Sequence, residues 1–135
     1  MSFFDWENRY SVGIQEIDDQ HKQLVALLNE LYEAMHAGRG KDALGRVLTG
    51  LADYTRFHFA AEELLMRTHH YPDYPIHREK HLKMSAKVAE LADAFADGTL
   101  FSPVQISNFL KGWLQRHIMG TDRQLGAFLR DQGLR

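Results

Sequence analysis

Five histidines and two carboxylates stand at spacings that suit metal ligation. His77 and His81 are four apart in "PIHREKH", and on a helix positions i and i+4 share a face, so both imidazoles can reach one ion. His58 and Glu62 have the same spacing in "HFAAEE", His117 precedes Asp122 in "WLQRHIMGTD", and His21 stands in "IDDQHKQL". A helical metalloprotease motif is excluded, because Arg78 follows His77 where that chemistry needs Glu. The chain has no cysteine, so any metal takes nitrogen and oxygen ligands and no thiol nucleophile exists.

The elements that must position these groups follow from helical periodicity. After an irregular arm to about Ile17, Asp18 or Asp19 can cap a first helix with Leu24, Leu27, Leu28, Leu31 and Met35 on its apolar face, ending at "GRG". A second helix runs from Lys41 to His70 and is stopped by "YPDYP". A third starts at Pro75 and passes through Leu82, Val88, Leu91 and Phe95 to Asp97 and Gly98. Ser102, Pro103, Val104 and Gln105 read as a capping box opening a fourth helix through Ile106, Leu110, Trp113 and Leu114 to about Gly120, and "QLGAFLRDQ" as a short C-terminal helix. Strand-like alternation is absent. The expected fold is all-α, an antiparallel up-down four-helix bundle with an N-terminal arm.

In such a bundle, residues equally far from the turn joining two helices lie at one height. His21 is as far before Gly38 as His58 is after Gly40, to within one residue, and His81 and His117 are placed similarly about Gly98 and Ser102. The five imidazoles, with Glu62 and Asp122, should therefore meet in one layer of the core. A lone core histidine is ordinarily a hydrogen-bonded structural group, but seven ionisable groups buried together carry a desolvation cost that leucines would avoid. Seven ligands exceed the need of one ion and point to a binuclear site; imidazole with carboxylate suits iron, with manganese or zinc as competitors. His36, His69 and His70 fail the height test and belong to surface or turns. Glu33 and His36 match the Glu-x-x-His signature of ferritin-like di-iron bundles, but that architecture needs two copies.

At 135 residues the chain is expected to form one domain, 1–135, with a core that needs no staples. A net charge of −2 gives no footprint for nucleic acid or an anionic membrane. No stretch approaches a membrane span, and "MSFFDWENRY" is unlike a signal peptide, so the expected location is cytoplasmic.

The combined motifs "SVGIQEIDDQHKQL", "HFAAEE", "HREKH" and "WLQRHIMGTD" resemble those of the hemerythrins, and specifically of single-domain bacteriohemerythrins, over nearly the whole chain. The resemblance implies two iron ions with an oxo or hydroxo bridge: His77, His81 and His117 on one iron, His21 and His58 on the other, and Glu62 and Asp122 bridging. It also implies reversible dioxygen binding for storage or delivery, without catalytic turnover. Leu24, Val25, Trp113 and Leu114, each three or four residues from a ligand, are the expected oxygen pocket. Two other functions are an oxygen-sensing module acting through a separate partner and a di-iron peroxidase or oxidase. The expected partners are dioxygen and an oxygen-consuming enzyme, and the expected state is monomeric. Leu125 departs from the family, which often has Tyr there.

Overall fold

The computed structural model describes residues 3–37, 41–98 and 103–135. Helix α1 spans Gln15–His36, α2 Lys41–Thr68, α3 Tyr74–Ala96 and α4 Pro103–Arg116. A π-helical turn, His117–Asp122, leads directly into α5, Arg123–Asp131. There is no strand among the described residues, and the helices form the expected all-α bundle: α1 packs against α2 and α4, and α2 against α3. Among the described residues, α3 and α4 approach one another at fewer backbone positions than these pairs do.

Several expectations need correction. Helix α1 begins three residues before Asp18, after Ile14, with no side-chain cap. Asp18 instead ties down the arm, its carboxylate accepting from the Val12 backbone N–H at 2.8 Å and from the Ser11 hydroxyl. Gly120 does not end the fourth helix, because the wider π-helical turn carries the chain past it, and the tail helix continues the same rod. Leu82 is exposed at 47 %, since the buried stripe of α3 is His77, His81, Met84, Val88 and Leu91. The imidazoles occupy core positions that Leu82 would have shared on a purely apolar reading. The turn glycines Gly38 and Gly40 and the capping residue Ser102 lie outside the described residues, as does the side chain of its partner Gln105.

The arm is less irregular than its composition suggests. Phe4, Tyr10, Val12 and Ile14 are buried, and a 3-10 turn spans Asn8–Tyr10. Asn29 makes a reciprocal pair of 2.8 Å hydrogen bonds with the Phe4 backbone, and Lys111 donates to the Phe3 carbonyl at 2.7 Å, fastening the arm to α1 and α4.

Two apolar clusters seal the two ends of the core. Leu24, Leu28, Leu51, Val88, Leu110 and Leu114 belong to one, and Ile17, Met66, Tyr71, Leu125 and Leu129 to the other. On α1 and α3 the candidate ligands fall between residues of these two clusters, while on α2 and after α4 Phe59 and Ile118 of the first cluster interleave with them, so apolar side chains lie on both sides of the polar layer.

Candidate metal centre

Each helix contributes to this layer by its own spacing. The i, i+4 pairs His58 and Glu62 on α2, and His77 and His81 on α3, lie on single helical faces. His117 and Asp122 are five apart, which in an α-helix would turn them about 140° from one another. The π-helical turn holds exactly these six residues, and its i→i+5 pitch brings the two side chains to one side, with His117 Nε2 3.0 Å from Asp122 Oδ1.

All seven predicted residues are buried, with Glu62, Asp122 and His21 at 0 % exposure and His117 the most exposed at 5 %. Their donor atoms divide into two groups: Glu62, His77, His81, His117 and Asp122 in one, and His21, His58, Glu62 and Asp122 in the other, with each group's donor atoms all within 4.8 Å of one another. The two carboxylates are common to both. Glu62 Oε1 lies 3.0 Å from His81 Nε2 while Oε2 lies 3.1 Å from His58 Nε2. Asp122 Oδ1 lies 3.0 Å from His77 Nε2 while Oδ2 lies 2.8 Å from His21 Nε2. Each carboxylate thus faces one group with one oxygen and the other group with its second.

Short as these contacts are, all four carboxylate oxygens and all five Nε2 atoms lack a hydrogen-bond partner. Buried polar atoms without partners are costly, and here they converge on common points rather than pairing with one another. That is the arrangement a bound cation would satisfy, and the imidazole and carboxylate donors fit a divalent transition metal.

Electrostatics within the cluster carry the same signature. Burial disfavours the charged form of His21 and His77, but the adjacent Asp122 and Glu62 carboxylates outweigh it and raise both imidazoles from 6.5 to about 9. Burial likewise works against ionised Glu62 and Asp122, and Glu62 adds to the effect on Asp122, yet the surrounding imidazoles hold both carboxyls well below the ordinary carboxylate range.

Two neighbours of the ligands were not singled out in the sequence. Gln20 Oε1 lies 2.6 Å from His58 Nδ1, and Glu63 Oε2 lies 3.0 Å from His81 Nδ1. Both adjoin a candidate ligand in sequence but serve a histidine on another helix, so the adjacency to His21 and Glu62 was the only signal available. Phe59 stacks on His81 with centroids 3.8 Å apart, and Trp113 on His117 at 4.6 Å. Of the expected oxygen-pocket residues, Leu24, Trp113 and Leu114 line an apolar cavity of about 30 Å³; Val25 is buried in the same cluster but does not line it. His36 and His70 are exposed and His69 is half-buried in the turn after α2, away from the layer. Leu125 is fully buried in the second apolar cluster.

The fold and the cluster together define a four-helix bundle protein built around a metal-binding His/Glu/Asp centre. Residues 12–129 match the family model described as the hemerythrin HHE cation binding domain, and the chain belongs to the hemerythrin family. It is 34 % identical to a bacteriohemerythrin of Stenotrophomonas maltophilia (strain R551-3), covering 91 % of this chain and 79 % of the relative. It is also 34 % identical to a hemerythrin-like protein of Naegleria gruberi, covering 93 % of each. A crystal structure of wild-type hemerythrin superimposes with a TM-score of 0.89 at 28 % identity, over 95 % of this chain and 98 % of that one.

Proposed function

We propose that this chain, as one hemerythrin-like domain over residues 1–135, binds dioxygen reversibly at a non-heme di-iron centre, for storage or delivery rather than turnover. The observation that carries the reading is the division of seven buried groups into two sets sharing two carboxylates. His77, His81 and His117 would hold one iron and His21 and His58 the other, with Glu62 and Asp122 bridging. When bound, a ferrous pair supplies the two electrons that O2 binding needs. The set containing His21 and His58 is the poorer in protein donors, which favours O2 on that side.

The chain's other residues orient these groups and keep the surroundings dry. The amide oxygen of Gln20 accepts the Nδ1 proton of His58, and Glu63 accepts that of His81; each fixes the tautomer that leaves Nε2 free as a donor. Glu63 also adds negative charge behind its histidine. The cavity lined by Leu24, Leu114 and Trp113 is apolar apart from Thr55, whose hydroxyl already donates to the Leu51 carbonyl at 2.7 Å. Water there would lack polar partners. An apolar diatomic has no such requirement, so the cavity favours O2 over water. Spectra recorded through a cycle of air and vacuum test the carrier reading: a band that forms in air and disappears on deoxygenation supports it, and a band that decays to an oxidised product within one cycle contradicts it.

A further inference from the structure

The seam between α3 and α4 opens into a groove of about 580 Å³, lined by the cations Lys80, Lys83, Lys87 and Arg116, with Trp113 and His117 also in its wall. Among the described residues no carboxylate lines it. Lys80 donates to the Thr121 hydroxyl at 3.2 Å, which leaves its charge uncompensated. Lys87 meets Glu90 at 3.7 Å in an exposed i, i+3 pair, a contact of small energetic weight. Because the chain as a whole carries −2, the rest of its charge is acidic on balance, and the groove is a positive pole able to steer an anionic partner.

The position of this pole matters more than its charge. His117 is the most exposed of the seven clustered residues, and it lines the groove with Trp113 stacked on its ring. The His117 imidazole is therefore the member of the cluster that meets the groove directly. Lys80, Lys83 and Lys87 are spread over about 10 Å of one α3 face, a span suited to a patch of carboxylates rather than a single small anion. Phe109, 39 % exposed below the Lys87 ammonium, adds an apolar contact of the kind a protein surface can cover.

We propose that this groove is the docking surface of an acidic one-electron carrier protein that keeps the centre reduced, an inference that rests on the di-iron reading and extends it. At each docking the carrier would give up one electron, passing through the His117 imidazole to the iron that His77, His81 and His117 would hold, and two dockings would supply the two electrons that return a diferric pair to diferrous.

The test uses two anionic probes on the iron-loaded oxidised protein. The tris(oxalato)chromate(III) trianion, a paramagnetic relaxation probe, should broaden the amide signals of Lys80, Lys83, Lys87 and Gly120. Ferrous EDTA, a dianionic reductant, should reduce the centre. The double variant Lys83→Glu with Lys87→Glu should abolish the broadening and slow reduction about tenfold at low ionic strength, with the difference closing in high salt. A control with the same change in net charge outside the groove, Arg56→Glu with Arg135→Glu, should leave both near wild type. Broadening centred elsewhere, or equal slowing in the control, overturns the docking surface while leaving oxygen binding intact. A protein that holds no iron pair overturns both readings, and metal analysis before the experiment shows which failure has occurred.

Discussion

Burying Glu62 and Asp122 side by side sets two negative charges in a region where water cannot solvate them, and in the metal-free chain only imidazolium can offset them. The consequence is a pH dependence of known sign. A group whose pKa rises on folding stabilises the fold fully below its unfolded value and loses that contribution as pH passes the folded value. With His21 and His77 raised from 6.5 to about 9, the chelator-treated protein should show a thermal midpoint that falls between pH 6.5 and 9. Metal displaces those protons, so the loaded protein should lack the slope. A midpoint independent of pH in the metal-free chain would contradict the electrostatic picture.

The other histidines provide the complementary residue-scale expectation. His36 and His70 are exposed, and His36→Ala, His69→Ala and His70→Ala should each retain wild-type metal content and oxygenated spectrum. Loss of metal in the His36 variant would restore the Glu33 and His36 motif as a candidate site. Leu114 tests the dry wall. It is 6 % exposed, lines the apolar cavity and precedes His117 by three residues. In Leu114→Asn the amide offers water a partner, and the oxygenated form should decay faster in air, with about tenfold requiring only 1.4 kcal/mol in the barrier. Decay at the wild-type rate, in a variant retaining its metal, would show that this side chain does not keep water out.

At the scale of elements, the helices were legible because their apolar faces repeat at helical period, and the misreadings occur where another constraint outweighs that period. Leu82 fits the helical period of α3 along with Val88 and Leu91, but His77 and His81 define the α3 core face and Leu82 falls outside it. The helix end expected at Gly120 followed the usual meaning of glycine; the structure instead widens the turn there, bringing His117 and Asp122 together. Nothing in the residue types announces a π-helical turn, although the five-residue separation of two candidate ligands was its trace. The arm has no period and so reads as irregular, yet its docking depends on Gly126. A Cβ at that position would press on the Val12 carbonyl oxygen and lie 2.8 Å from Val12 Cβ. Backbone cannot yield as a flexible side chain can, so Gly126→Ala should destabilise the protein by about 1–3 kcal/mol, read as a lower denaturant midpoint. An unchanged midpoint would mean that the arm does not pack against α5 as described.

At the scale of the whole molecule, the centre could be located before the structure because a bundle converts sequence distance from a turn into height. That rule brought His21 level with His58 and His81 level with His117, and the structure gathers all four with His77, Glu62 and Asp122 in one layer between two apolar clusters. Height says nothing about which helix face meets which. The pairing of Gln20 with His58 and of Glu63 with His81 therefore emerged only in three dimensions. The basic groove was hidden for a different reason: net charge averages over the surface, and −2 conceals four cations on one seam.

In the proposed centre two ions share Glu62 and Asp122. Metal analysis of the purified protein, set beside that of Glu62→Ala, tests it most directly. Wild type should hold two irons per chain, and the variant should hold clearly less, because one shared carboxylate is lost from both sets at once. One metal per chain in the wild type, or zinc whose content is unaffected by Glu62→Ala, would contradict the account.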